Sequence, residues 1–288
     1  MTTNRTLDVA GATLAYDVHG PLPPEGGRPP LMMIGQPMDA GGFLTLASHL
    51  PDRTVVTYDP RGLGRSIRTD DRTDNNPEVQ AEDVHTVIEA LGTGPVEMFA
   101  SSGGAVTSFA LVTAHPDDVT LLVAHEPPLI DVLPDAAQAR AAKQGFQSVY
   151  GDQGWGAGMA AFMAMSSWQG EYTDEYFAQP PPDPAQFGMP ADDDGSRGDP
   201  LLSTVSNAVT DYQLDVGALR AAPTRIVVAV GTESMNTFTG RTAVATAEVL
   251  GQEATVFPSH HDGFMGGEFG YAGQPEAFAA RLREILDA

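Results

Sequence analysis

The chain contains no cysteine among its 288 residues and little positive charge, with 15 Lys+Arg against 38 Asp+Glu. The missing thiols exclude disulfides, a thiolate nucleophile and cysteine-ligated metal centres. A formal net charge of -23 opposes any sequence-independent hold on phosphate backbones or anionic lipid, so neither nucleic acid nor a membrane surface is an expected partner. The plain meaning of that charge is a solvated acidic surface that keeps the protein in solution. Long apolar runs are lacking too. None approaches the roughly 18 residues of a membrane span, and the opening Met1-Thr-Thr-Asn-Arg-Thr-Leu-Asp has no apolar h-region, so a cytoplasmic location is expected.

What the chain does have is apolar runs alternating with helical patterns. A chain of 288 residues sits at the upper end of a single core, so one domain with an insertion is expected. Leu7 to Val18 reads as a hairpin broken at Gly11-Ala12. Leu31–Ile34, Thr54–Tyr58, Val96–Phe99, Val119–Ala124, Thr224–Val230 and Ala254–Phe257 read as buried strands. Helical patterns separate them: Gly42–Leu50, Glu78–Leu91, Ala105–Ala114, Thr242–Leu250 and Pro275–Leu286. Short loops joining strands to helices specify an α/β fold, a mostly parallel sheet with helices on both faces. The alternation stops between 127 and 224, where helices are expected near Asp135–Tyr150, Trp155–Trp168 and Pro200–Tyr212, with a long Pro/Asp-rich loop over Gln179–Asp199.

The centre of the chain is Ala100-Ser101-Ser102-Gly103-Gly104, lying between a strand and a helix. A sharp strand-to-helix turn crowds the residues two before and two after its apex. Centring the turn on Ser102 puts Ala100 and Gly104 at the crowded places, whereas centring it on Ser101 would put Phe99 there. Small-residue βα units also occur without any catalytic role, so the turn needs company. It has some: Gly35-Gln36-Pro37 follows the Leu31 strand, Tyr58-Asp59-Pro60-Arg61-Gly62-Leu63-Gly64-Arg65-Ser66 follows the next, and Pro258-Ser259-His260-His261-Asp262-Gly263-Phe264 follows the last.

These motifs, in this order, resemble the α/β-hydrolase superfamily: glycine turn, Arg-Gly loop, serine elbow, insertion, late histidine. The resemblance covers Leu31–Glu126 and Thr224 to the C-terminus. It implies a core of residues 1–126 and 225–288, with a helical cap at 127–224, and a serine hydrolase acting on a small ester-like or other acyl substrate through an acyl-enzyme. Ser102 would be the nucleophile and His261 the base, with the amides of Gln36 and Gly103 taking the oxyanion; Pro37 has no N–H to offer. Members that use an alkyl-enzyme ester need a carboxylate nucleophile, which Ser102 is not. The pattern Phe-Pro-x-x-His-x-Gly-Phe selects His261 over His260. His260-His261-Asp262 as a metal cluster lacks further ligands at a recognisable spacing, so no metal and no organic cofactor is expected. Within the insertion, Trp155, Met159, Met163, Met165, Trp168, Tyr172, Tyr176 and Phe177 are apolar at helical spacing, more in keeping with packing than with pocket lining.

The acid is the open position. The turn after the Thr224 strand reads Gly231-Thr232-Glu233-Ser234, with serine where the superfamily usually has Asp. Glu126, at the end of the preceding strand and followed by Pro127-Pro128, is the preferred alternative. Glu233 and Asp262 are its competitors, and hydrogen bonding to a cap or loop amide is the non-catalytic role open to Glu126. Three departures from the pattern (Ala100 for Gly, Ile34 for His, Ser234 for Asp) also fit a non-catalytic ligand-binding protein that keeps the fold. The oligomeric state is open, a homo-oligomer being compatible.

Overall fold

Residues 1–190 and 192–288 are described by a computed structural model. The first two strands, β1 (Thr2–Val9) and β2 (Ala12–His19), pair antiparallel from Thr2↔His19 to Val9↔Ala12, with Gly11 turning at φ 77°. The sheet then continues through β3 (Leu31–Gln36), the short helix α1 (Leu44–Ser48), β4 (Val55–Tyr58), the two-residue β5 (Ile67–Arg68) and helix α2 (Pro77–Leu91). After these come β6 (Val96–Ser102), α3 (Gly103–Ala114) and β7 (Val119–His125). The nine-stranded sheet has the order β1-β2-β4-β3-β6-β7-β8-β9 with β5 on β2, where β8 is Arg225–Gly231 and β9 Thr255–Phe257. From β4 to β9 every neighbour is parallel.

Alternate residues of the central strands enter opposite layers, as the two-residue period of a strand requires. Met32 and Ile34 pack with Val84, Val87, Val106 and Phe109, on the face covered by α2 and α3. Leu31 and Met33 pack on the other face with Phe43, Phe99, Phe278 and Leu282. The last two belong to the closing helix Pro275–Leu286. A strand covered on both faces has no polar side, which is why these runs are continuously apolar.

Residues 127–224 add no strand among those described. They hold α4 (Ala136–Gln153), α5 (Trp155–Ser167), α6 (Asp174–Phe177), α7 (Asn207–Thr210) and α8 (Val216–Ala221). After β8 come α9 (Phe238–Leu250) and, at the C-terminus, α10 (Pro275–Leu286). A separate cluster joins Ile130, Phe146, Tyr150, Met165, Tyr172 and Phe238, so Met165 and Tyr172 serve packing, while Phe177 is exposed. The helix expected over Pro200–Tyr212 is only a 3-10 turn, Thr204–Ser206, running into α7. Asp199 accepts from the amides of Leu201 and Leu202, and Ser203 from that of Val205. Such local side-chain acceptors compete with a helix for its backbone donors. Within the expected Gln179–Asp199 loop there is one 3-10 turn, Pro184–Phe187, and Ala191 lies outside the described residues.

The Arg-Gly loop after β4 is held by buried charge. Asp59 accepts from the amides of Ala40 and Arg65 and from Arg65 Nε, at 2.8–2.9 Å. Arg61 reaches the other way: its guanidinium donates twice to Asp83 on α2, at 2.6 and 2.7 Å, and once to Asp70 at 2.9 Å. The Arg61 and Asp83 side chains are 4% and 2% exposed. Removing one partner of such a pair strands a desolvated charge. Arg61→Met is therefore expected to lower unfolding stability by about 3–5 kcal/mol in a denaturant titration, and Arg61→Met with Asp83→Leu to recover most of the loss.

Candidate active site

Ser102 ends β6 with φ 57° and ψ -127°, a left-handed conformation that costs a residue with a side chain on the order of 1–3 kcal/mol. Its neighbours allow that turn. A Cβ on Gly104 would stand 2.6 Å from the Ile34 carbonyl oxygen, and one on Gly103 would stand 2.8 Å from the Gln36 carbonyl oxygen. Helix α3 can therefore start hard against β3 only with glycine at both places. Ala100 is fully buried in register with Ile34 and Ala124, so a methyl is tolerated two residues before the apex. Ser101 is buried, its hydroxyl 3.3 Å from His125 Nδ1, whereas Ser102 is half-exposed at the strand end. The turn is thus centred on Ser102.

Gln36 lies opposite Ser102 in the β3–β6 register. With Gly103 packed on Gln36, the turn brings together the two residues whose amides the sequence singles out.

Glu126 stands one residue beyond β7, at φ 48°, with its side chain fully buried. Its Oε2 meets His261 Nδ1 at 2.7 Å. Thr239 of α9 donates its hydroxyl to the same oxygen at 2.6 Å, and the Gly231 amide donates to Oε1 at 2.9 Å. Burial alone would raise the carboxyl pKa. The hydrogen bond from His261, the neighbouring imidazoles and the Thr239 hydroxyl outweigh burial and hold the carboxyl well below the usual range. For His261 the opposing effects end the other way: burial pulls it down, but the bond to Glu126 and the Glu126 charge lift it above 6.5. Glu126 thus fixes the Nδ1–H tautomer and leaves Nε2 to face outward from the pair.

The rival residues stand elsewhere. Glu233 is exposed, 3.4 Å from Gln274 Nε2, and Ser234 is buried in the turn with its amide on the Gly231 carbonyl. His260 points Nε2 at the Ala272 carbonyl, and its Nδ1 accepts from the Asp262 amide. His261 donates to Glu126 and the Ser101 hydroxyl meets His125, and no hydrogen bond among the described residues joins Ser102 to His261.

Two participants escaped the sequence reading. His125 is completely buried, its Nε2 3.8 Å from Glu126 Oε1 and its ring stacked 6.0 Å from that of His261. Phe99, Phe257, Phe264 and Phe278 surround it. Burial pushes it down to about 4, so it is neutral around pH 7 and leaves the charge to the Glu126–His261 pair. His125 adjoins Glu126 in sequence, yet nothing there says that the strand's alternation turns it inward. Thr239 lies 113 residues from Glu126, and no motif marks it. In an NMR titration His261 is expected to protonate with a midpoint above 6.5 and His125 not until about pH 4. Glu126→Gln, by removing the negative charge, is expected to shift the His261 midpoint downward.

Comparison with known proteins agrees with this architecture. The model of the alpha/beta hydrolase fold family matches residues 32–153. An uncharacterized hydrolase of Bacillus subtilis strain 168, YraK, is 28% identical over 299 aligned residues, covering 99% of this chain and 96% of that protein. Among solved structures, an alpha/beta hydrolase from Sphaerobacter thermophilus superposes with a TM-score of 0.63 at 21% identity, covering 99% of this chain and 100% of its own. A thermophilic esterase from Thermogutta terrifontis gives 0.62 at 21% identity, covering 100% and 98%. With the parallel sheet, the serine turn and a family match that begins in β3 and runs on past that turn, the chain has the α/β-hydrolase fold.

Proposed function

We propose that the protein is a cofactor-free serine hydrolase of small ester-like or other acyl substrates, working through an acyl-enzyme. The observation that carries this reading is the 2.7 Å contact between His261 Nδ1 and the buried Glu126, at the same ends of the parallel strands where Ser102 is held in its strained turn. In the proposed sequence Ser102 Oγ attacks the substrate carbonyl as His261 Nε2 takes its proton. The amides of Gln36 and Gly103 donate to the developing oxyanion, and His261 returns the proton to the leaving group. Water then repeats the steps on the acyl-enzyme. Glu126 remains ionised throughout and stabilises the imidazolium.

The hydrolase name of the Bacillus relative and the esterase name of the Thermogutta structure are in keeping with this chemistry. Residues 127–224 are proposed as a cap over a core of 1–126 and 225–288, selecting the acyl and leaving groups of a small-molecule substrate in the cytoplasm.

A fluorophosphonate probe is expected to label Ser102, and Ser102→Ala to abolish labelling while the fold persists. A folded wild-type protein that never labels would favour a non-catalytic binder. On p-nitrophenyl esters, Ser102→Ala and His261→Ala are expected to lower kcat by about a thousandfold or more, with Ser101→Ala and His260→Ala far milder. Glu126→Gln should cost a large factor in kcat and Glu233→Gln little; the opposite ranking would move the acid to the later strand. Because the active base must be neutral, kcat/KM is expected to rise with pH through a midpoint above 6.5.

A further inference from the structure

At the opposite end of β6 from Ser102 lies a second cluster of histidines and carboxylates that the proposed chemistry does not use. We propose that His85, His115 and Asp118 bind a divalent transition cation of the zinc class. One ligand atom from each lies within 4.8 Å of the other two. His85 is on the surface of α2, while His115 and Asp118 belong to the turn between α3 and β7. The turn is rigid: the Asp118 amide donates to the His115 carbonyl at 3.1 Å, and the Val96 amide to the Asp118 carbonyl at 2.9 Å. Asp118 therefore sits beside the first residue of β6 and Ser102 is the last, which separates the cluster from the elbow by roughly 20 Å at the rise of a β-strand.

A hydrogen bond at the rim of the cluster sets the free nitrogen of His115. His115 Nε2 donates to Glu82 Oε1 at 2.9 Å, while Glu89 Oε2 lies 3.6 Å from His85 Nε2, too far for a hydrogen bond. The Glu82 carboxylate on Nε2–H of His115 leaves Nδ1 of that ring with its lone pair, the outer-shell arrangement that orients metal-binding imidazoles. His85 Nδ1 already lies 2.7 Å from Asp118 Oδ2. A cation would replace the proton between those two atoms, the pair opening by a few tenths of an ångström toward the spacing of neighbouring ligands. The imidazoles of His85 and His115 are stacked at 3.7 Å and 7°. Lone pairs in parallel planes do not converge on one ion, so binding turns one ring out of the stack; both side chains are about a quarter exposed and have room to do so. Two imidazoles with a carboxylate favour zinc, nickel or copper over magnesium and calcium, which select all-oxygen sites. The bound ion would tie α2 to the turn that feeds β7.

The test is calorimetric titration of zinc chloride into the chelator-treated full-length protein at neutral pH, with His85→Gln, His115→Gln and Asp118→Asn, and with a His260→Ala/His261→Ala double variant. We expect saturable binding of about one zinc per chain, weakened tenfold or more in each of the three single variants, retained in the double variant, and not displaced by equimolar magnesium. Zinc at about 100 times its Kd should raise Tm by several degrees in the wild type and not in the single variants. Absence of saturable binding, binding unchanged in all three single variants, or binding lost only in the double variant would overturn the proposal.

Discussion

A carboxylate with no exposed surface is tolerated only if donors surround it, and Glu126 is where this protein meets that requirement. Its two oxygens take a ring N–H from the loop after β9, a hydroxyl from α9 and an amide from the end of β8, while its own amide donates to the Ala229 carbonyl. Three segments from different parts of the chain are thus fixed to one side chain, and an unpaired donor at any of them would cost more than an ordinary surface hydrogen bond contributes. The same desolvation that makes Glu126 expensive makes its effect on His261 large, because little water intervenes to screen it.

The serine side of the site rests on close packing instead of charge. Ser102 is held in a left-handed turn by the approach of α3 to β3, an approach close enough that neither Gly103 nor Gly104 has room for a methyl. Strain at one residue is sustained by the packing of a helix buried from Gly103 to Val112, in which Val106, Phe109 and Leu111 have no exposed surface. The phenylalanines beneath His125 complete the floor. They keep His125 neutral, so the net charge of the site is that of the Glu126–His261 pair alone.

Much of this was legible in the sequence. The continuous apolar runs of the central strands, the small residues around Ser102 and the order of the motifs depend on local sterics and two-sided burial, both of which leave their mark residue by residue. The same sterics put the apex of the turn at Ser102 and not at Ser101, and the positive φ stands at Ser102. Less was legible in the 127–224 stretch. The apolar spacing of Pro200–Tyr212 is helical, but Asp199 and Ser203 draw its amides into turns.

By itself, the sequence determined the fold class, the position of the turn and a short set of candidate acids and bases, since each follows from the volume, period or ionisable group of residues close together in the chain. Only the tertiary structure decided which acid meets which base. Glu126 and His261 are 135 residues apart, and Glu233 is far closer to His261 in the chain. What separates the candidates is direction: the backbone at the end of β7 turns Glu126 inward to a buried cluster of donors, while the turn after β8 leaves Glu233 in solvent. Side-chain direction at a strand end depends on the neighbours packed around it, and those neighbours come from every other part of the chain.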